Sequence, residues 1–109
     1  MEAAVDQDGR LLAIRGHLRH DHGAATPSGL SLPQNSATNL FGPYVVPAYR
    51  LEVSLCLTNL VAATSTRGAG RTQGTFVMER MLDRIADELG VGRDEVRRRN
   101  LITPQQMPY

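Results

Sequence analysis

Lysine is absent from the chain: all twelve basic residues are arginines. A Walker-type phosphate loop requires its lysine and Schiff-base chemistry requires a primary amine, so both classes are excluded. Cysteine occurs once, at Cys56, which permits neither an internal disulfide nor a cysteine-cluster metal site. Its apolar neighbours Val53, Leu55 and Leu57 predict an inert, buried thiol. An excess of one charge is missing too, since 12 basic against 11 acidic residues give a net of +1. Electrostatics alone therefore make no case for a nucleic-acid or membrane partner. No apolar run approaches the length of a membrane span, and the opening residues Met1 to Asp6 carry neither a basic leader nor an apolar stretch. A reducing, cytoplasmic setting is the expectation.

What is present reads as strands first and helices last. With 109 residues, 41% of them hydrophobic, the chain suffices for one small domain or a piece of a larger one. Residues 2–6 and 10–20 read as two strands joined by Asp6-Gln7-Asp8-Gly9, and the early apolar residues of the second strand predict burial on both faces. Residues 23–43 are rich in Gly, Ser, Pro and Asn without helical period, which predicts a loop wrapping over a larger body. A strand follows over 49–58, with Leu51, Val53, Leu55 and Leu57 on one face. A helix is predicted over 73–89, its stripe formed by Met78, Met81, Leu82, Ile85 and Leu89 and its left-handed stop by Gly90. A short helix over 93–99 carries Asp94 and Glu95 in its first turn and Arg97, Arg98 and Arg99 in its last, matching the helix dipole. The class is α+β: antiparallel strands, a glycine-rich loop and two helices. By domain, residues 1–60 hold strands and the long loop, 61–74 the glycine loop and 75–109 the helical part.

The loop Arg67-Gly68-Ala69-Gly70-Arg71-Thr72-Gln73-Gly74 carries the most chemistry. Glycines let a backbone approach a ligand and aim N–H groups at it, the following helix start adds open N–H groups, and Arg67 and Arg71 add fork-shaped donors. Two readings stay open on spacing alone: a cradle for phosphate, pyrophosphate or an oxo-metal, and a surface turn with solvated arginines. A dinucleotide site fails, because the spacing is GxGxxxG and a second helix, not a strand, follows the first.

Two weaker constellations carry less. Of His17, His20 and His22 only the last two share a strand face, with Asp21 pointing away. Zinc sites need three or four converging ligands, so an exposed strand end is expected and no metal is assigned. A helix-turn-helix is disfavoured by Asp94 and Glu95 beside the arginines, and Glu95, Arg97 and Arg99 read as structural ion-pairing positions.

Thr66 to Gly74, followed by Phe76-Val77-Met78-Glu79-Arg80 and Glu95-Val96-Arg97-Arg98-Arg99-Asn100-Leu101, resembles the molybdenum-cofactor-binding subunit of the xanthine dehydrogenase and aldehyde oxidase family. Asp8-Gly9-Arg10, Asp21-His22-Gly23-Ala24, Gly42-Pro43-Tyr44 and Leu57-Thr58-Asn59 extend the match over nearly the whole chain. The resemblance implies a fragment of the molybdopterin-binding domain, with residues 61–74 as its cofactor-facing loop. It places Arg67 against the cofactor through its backbone amide, with Gly68, Ala69 and Gly70 lining the same wall. It also implies an oxidoreductase that hydroxylates an aldehyde or heteroaromatic carbon, with iron–sulfur clusters and flavin on partner subunits or domains. The family's catalytic glutamate lies beyond Tyr109, so no catalytic residue falls in this chain, and the isolated chain is expected to have no turnover. Ala69 cannot stack on a purine as the phenylalanine of xanthine dehydrogenases does, and Gly68 cannot ligate copper as the cysteine of carbon-monoxide dehydrogenases does. Thr72 stands where proline is frequent. The competing reading is an autonomous anion- or nucleotide-binding module.

Overall fold

The computed structural model describes residues 1–109. Strands β1 (Glu2–Val5) and β2 (Leu11–Asp21) form an antiparallel hairpin, with a register shift between Ala4 and Val5. Gly9 closes the connection at φ 77°, while the Asp6 carboxylate accepts from the amides of Asp8 and Arg10 at 2.9 Å each. Strand β3 (Tyr49–Cys56) lies on the other side of β2, so the sheet order is β1-β2-β3.

That third strand runs parallel to β2, from Ile14 opposite Tyr49 to Asp21 opposite Cys56, where the sequence suggested antiparallel strands throughout. A parallel return must cross the sheet end to end, and such crossovers usually carry a helix. Helix α1 (Ser31–Thr38) supplies it, inside the stretch expected to be an irregular loop. Pro33 is accommodated because it sits in the first turn, where a missing N–H costs nothing.

Only one face of the sheet is covered. Ile14 and Leu11 are buried, yet Leu12 is 49% exposed, so the predicted burial of β2 on both faces does not occur. Arg15, His17, Arg19 and Asp21 alternate onto the solvent side. Opposite Asp21, Cys56 shares that open side and is exposed rather than buried.

Helix α2 (Arg71–Leu89) covers the hairpin half of the sheet. Its buried residues Met78, Leu82, Ile85 and Ala86 join Leu11, Ile14, Tyr44 and Val96 in one core. Each such aliphatic side chain contributes about 1.5–3 kcal/mol by leaving water. The predicted stripe holds except at its end, where Leu89 is 37% exposed. Gly90 ends the helix at φ 66°, and helix α3 (Arg93–Asn100) follows at once. Arg97 reaches back to α2, with Nε 2.7 Å from Glu79 Oε2 and Nη2 2.9 Å from Asp83 Oδ1. Glu79 also accepts from the Tyr44 hydroxyl at 2.7 Å. Asn100, buried at the end of α3, accepts from the Leu11 amide at 2.7 Å and donates to the Gly9 carbonyl at 2.8 Å, fastening α3 to the hairpin. The ion-pairing roles read for Glu95, Arg97 and Arg99 are observed, Arg99 meeting Glu95 at 2.8 Å.

Candidate functional site

The glycine loop sits at the junction of α1 and α2, and its glycines do different jobs. Gly68 adopts φ 81° with only Thr72 Cγ2 near the place of a Cβ, at 3.8 Å. Gly70 adopts φ 84° and is pressed against α1: a Cβ there would lie 2.4 Å from the Leu32 carbonyl oxygen and 2.6 Å from Asn35 Cβ. Gly74 is likewise tight, 2.9 Å from the Ser36 carbonyl oxygen. Two of the three loop glycines therefore serve helix-on-helix contact, and Gly68 alone keeps open space.

The backbone hydrogen bonds divide the loop's amides. Ala69 N–H donates to Thr66 O at 3.0 Å, Arg71 N–H to Gly68 O at 3.1 Å and Gly74 N–H to Gly70 O at 3.1 Å. The amides of Arg67, Gly68, Gly70, Thr72 and Gln73 find no acceptor within the chain. Open amides at the start of a nineteen-residue helix favour negative charge by partial charge and by dipole. Beside them lies a polar cavity of about 220 Å³. Gly68, Ala69 and Arg71 form one wall, Ser31 and Asn35 of α1 the other, and Ser65 and Thr66 the floor.

Of the residues singled out in the sequence, Gly68 and Ala69 line this cavity, while Arg67 is exposed beside it and Gly70 is buried behind it. Neither Arg67 nor Arg71 forms an ion pair, which leaves both guanidinium groups free for a ligand or solvent. The α1 wall was not read from the sequence, because Ser31 and Asn35 lie in a stretch without helical period. Polar links tie the two sides together. Asn35 Nδ2 donates to the Ala69 carbonyl at 3.3 Å, the Ser65 amide donates to Ser28 Oγ at 3.3 Å, and the hydroxyls of Ser31 and Ser65 lie 3.4 Å apart.

The histidines fall elsewhere. His17 Nε2 meets Ser54 Oγ at 2.6 Å on the solvent face. His20 and His22 pack edge to face with ring centroids 4.8 Å apart. His22 is fully buried, not the exposed strand end expected, because the segment after β3 folds over it: Ala63 N–H donates to the His22 carbonyl at 2.9 Å. Both His22 ring nitrogens lack a partner, and no third metal-ligating side chain converges on the pair. Asp21 instead holds the turn after β2. The Gly23 amide and then the Thr58 hydroxyl, each 2.8 Å from its carboxylate, keep its pKa below the usual carboxylate value.

Residues 1–101 match the molybdopterin cofactor-binding domain family. The chain belongs to that family. It is 36% identical, over its whole length, to the gamma subunit of the 6-hydroxypseudooxynicotine dehydrogenase complex of Paenarthrobacter nicotinovorans, and covers 14% of that protein. It is 34% identical over 98% of its length to a probable xanthine dehydrogenase subunit of Bacillus subtilis, again covering 14%. Among solved structures, quinoline 2-oxidoreductase of Pseudomonas putida superposes with a TM-score of 0.89 at 34% identity, covering 98% of this chain and 14% of that one. The aldehyde oxidoreductase of Desulfovibrio desulfuricans gives 0.87 at 27% identity, covering 93% and 11%. The chain thus spans about one seventh of the length of its relatives, and its α+β architecture is that of the molybdopterin-binding domain of molybdenum hydroxylases. No helix is long and apolar enough to cross a membrane.

Proposed function

We propose that this chain supplies one wall of the cofactor site in a molybdenum-dependent oxidoreductase that hydroxylates an aldehyde or heteroaromatic carbon. Arg67, Gly68, Ala69 and Gly70 form that wall. The observation that carries the reading is the set of open amides at Arg67, Gly68, Gly70, Thr72 and Gln73 at the start of α2, with Gly68 lining a polar cavity there. A molybdopterin is anionic, carrying a phosphate and an oxo-metal, and open amides with free guanidinium groups suit such a group. When bound, it supplies the oxidation of the substrate carbon and the acceptance of its electrons. This chain's own residues bind and orient: the backbone offers N–H donors, Arg71 offers a charged fork, and Gly68 permits close approach.

The cavity lies open between two short walls, which supports a shared site. Its other walls come from the remainder of the molybdenum subunit, and iron–sulfur and flavin partner subunits or domains relay the electrons. Val53, Leu55 and Leu57, exposed by 43%, 38% and 67% along β3 and just beyond it, fit burial against that remainder. The free, exposed thiol of Cys56 suits a reducing, cytoplasmic setting. A small substrate fits Ala69, whose methyl group cannot stack on a purine, and relatives named for quinoline and aldehyde oxidation point the same way.

The test uses the isotopically labelled chain and molybdenum cofactor released anaerobically from a donor enzyme. Shifts confined to the amides of Arg67, Gly68, Gly70, Thr72 and Gln73 are expected, without hydroxylation of any aldehyde or heterocycle. Shifts elsewhere only would refute the assignment. Saturable binding of a nucleotide or inorganic pyrophosphate by the chain alone, in place of the cofactor, would favour an autonomous anion-binding module.

A further inference from the structure

We propose that Asn35 is a positioning residue for the glycine loop: its carboxamide holds the Ala69 carbonyl and thereby fixes the loop backbone beside the cavity. This rests on the cofactor-facing reading above and adds a residue from a different element to it. Asn35 lies in α1, half-buried, thirty-four positions away from the carbonyl that it reaches.

The Ala69 carbonyl stands one position before the helix cap Gly70, outside the helical ladder, so no helical N–H is due to it. In this structure it accepts no backbone N–H, and Asn35 Nδ2 is its partner at 3.3 Å. The first regular helical bond runs from Gly74 N–H to the cap carbonyl, Gly70 O, at 3.1 Å. By holding the Ala69 carbonyl, Asn35 fixes the planar Ala69–Gly70 peptide and with it the direction of the undonated Gly70 amide. Gly70 enforces the same register from below, since only a residue without a Cβ can sit so close to Asn35 Cβ and the Leu32 carbonyl. The Asn35 side chain also lines the cavity itself.

The chemistry of the residue matters. A carbonyl needs a donor, which asparagine provides and aspartate, of the same shape, does not. Glutamine keeps the donor on a longer arm. The test therefore compares Asn35→Ala, Asn35→Asp and Asn35→Gln by residue-resolved amide exchange of the whole chain. Each variant is measured alone and with anaerobically released molybdenum cofactor. Amides of Ala69 and Arg71, protected in the parent by Thr66 and Gly68 carbonyls, should exchange roughly tenfold faster in the Ala and Asp variants, the size expected for one lost hydrogen bond. The Gln variant should restore most of that protection. Amides from Met78 to Ala86 should not change, which separates positioning from loss of the fold. Cofactor affinity should weaken by about the same factor as the exchange rises.

The outcomes separate the two ideas. Unchanged exchange at Ala69 and Arg71 in the Asp variant overturns the role of Asn35 and leaves the cofactor reading standing. Faster exchange with undiminished cofactor affinity also overturns it, since the loop would then be held for some other purpose. A parent chain that shows no cofactor-dependent protection at residues 67–73 removes the functional reading itself, and this proposal with it. Because the Asp variant preserves side-chain size, the test survives a failure of Asn35→Ala to fold.

Discussion

Gly70 and Gly68 share a left-handed backbone, at φ 84° and 81°, but not a neighbourhood, and this difference can be measured. Replacing either by alanine places a Cβ in a conformation that costs about 1–2 kcal/mol for an L-residue. At Gly68 nothing more is added, since the new methyl group meets only Thr72 Cγ2 at 3.8 Å. At Gly70 it collides with the Leu32 carbonyl oxygen at 2.4 Å, Asn35 Cβ at 2.6 Å and the Ser36 amide nitrogen at 2.8 Å. Two of those are backbone atoms of α1 and cannot rotate aside, so the helix must shift, at a cost of roughly 1–3 kcal/mol more. The total for Gly70→Ala, about 2–5 kcal/mol, is a large share of the roughly 5–15 kcal/mol that stabilises a chain of this size. Urea unfolding and thermal melting of the two variants give the comparison directly. Gly70→Ala should melt on the order of 10 °C below Gly68→Ala. Equal midpoints would refute the assignment of Gly70 to contact with α1.

The other predictions concern the ties that hold this wall in place. Asn100→Ala leaves the Leu11 amide and the Gly9 carbonyl unpaired in the core, and should cost roughly 2–4 kcal/mol in denaturant unfolding. A loss under about half a kcal/mol would mean that water replaces the carboxamide. Asp83 is held below its ordinary pKa of 3.8, first by the hydrogen bond from Arg97 and then by the charges of Arg93, Arg97 and Arg80. Its contribution is therefore present above the unfolded value and lost as pH falls below about 3.8 through the lower folded value. Asp83→Asn should flatten this acid limb of stability, measured as unfolding midpoints across a pH series. An unchanged limb would sink the claim. Burial, and then the Glu79 carboxylate, push the Tyr44 hydroxyl up to about 12. Here the raised value means stability fully present below the unfolded pKa of 10.0 and lost as pH climbs from there toward about 12. Tyr44→Phe should abolish that alkaline loss, followed by phenolate absorbance beside unfolding. A phenolate that forms near pH 10 in the folded protein would contradict the burial argument.

The helical end of the chain was legible because its signals are local. The spacing of Met78, Leu82 and Ile85 defines a buried stripe whatever surrounds it, and Gly90 and the charge order of α3 mark their own boundaries. Helix α1 was hidden because Ser31, Asn35, Ser36 and Thr38 are weak helix formers and Pro33 reads as a breaker. Its formation follows from a tertiary demand, the need of β3 to return parallel to β2. Strand parity was equally limited for Cys56 and His22. It orders the faces within one strand, but only the register of β2 with β3 and the placement of α1 and of the chain after β3 determine which face is covered. In the glycine loop, sequence spacing marked out Arg67 to Gly74 and could not distinguish a glycine kept open from one kept small for packing. That distinction depends on Leu32 and Asn35, more than thirty positions away.

The arrangement explains how so short a chain can fix the geometry of the glycine loop. Open amides gain from a ligand only when their geometry is set beforehand, because ordering a loop on binding costs conformational entropy. Here both ends of the loop are fixed by contacts that need no ligand. Gly70 and Gly74 lock its far end onto α1, while Ser65 and Ala69 are tied to Ser28 and Asn35. Helix α2 is in turn anchored to β2 through Leu82 and Ile85, and to α3 through Arg97. The exposed apolar side chains of β3 lack comparable anchors within these residues. The part of the chain beside the cavity is thus the more heavily tied, and the apolar edge of β3 is where, on the proposed function, further protein would pack.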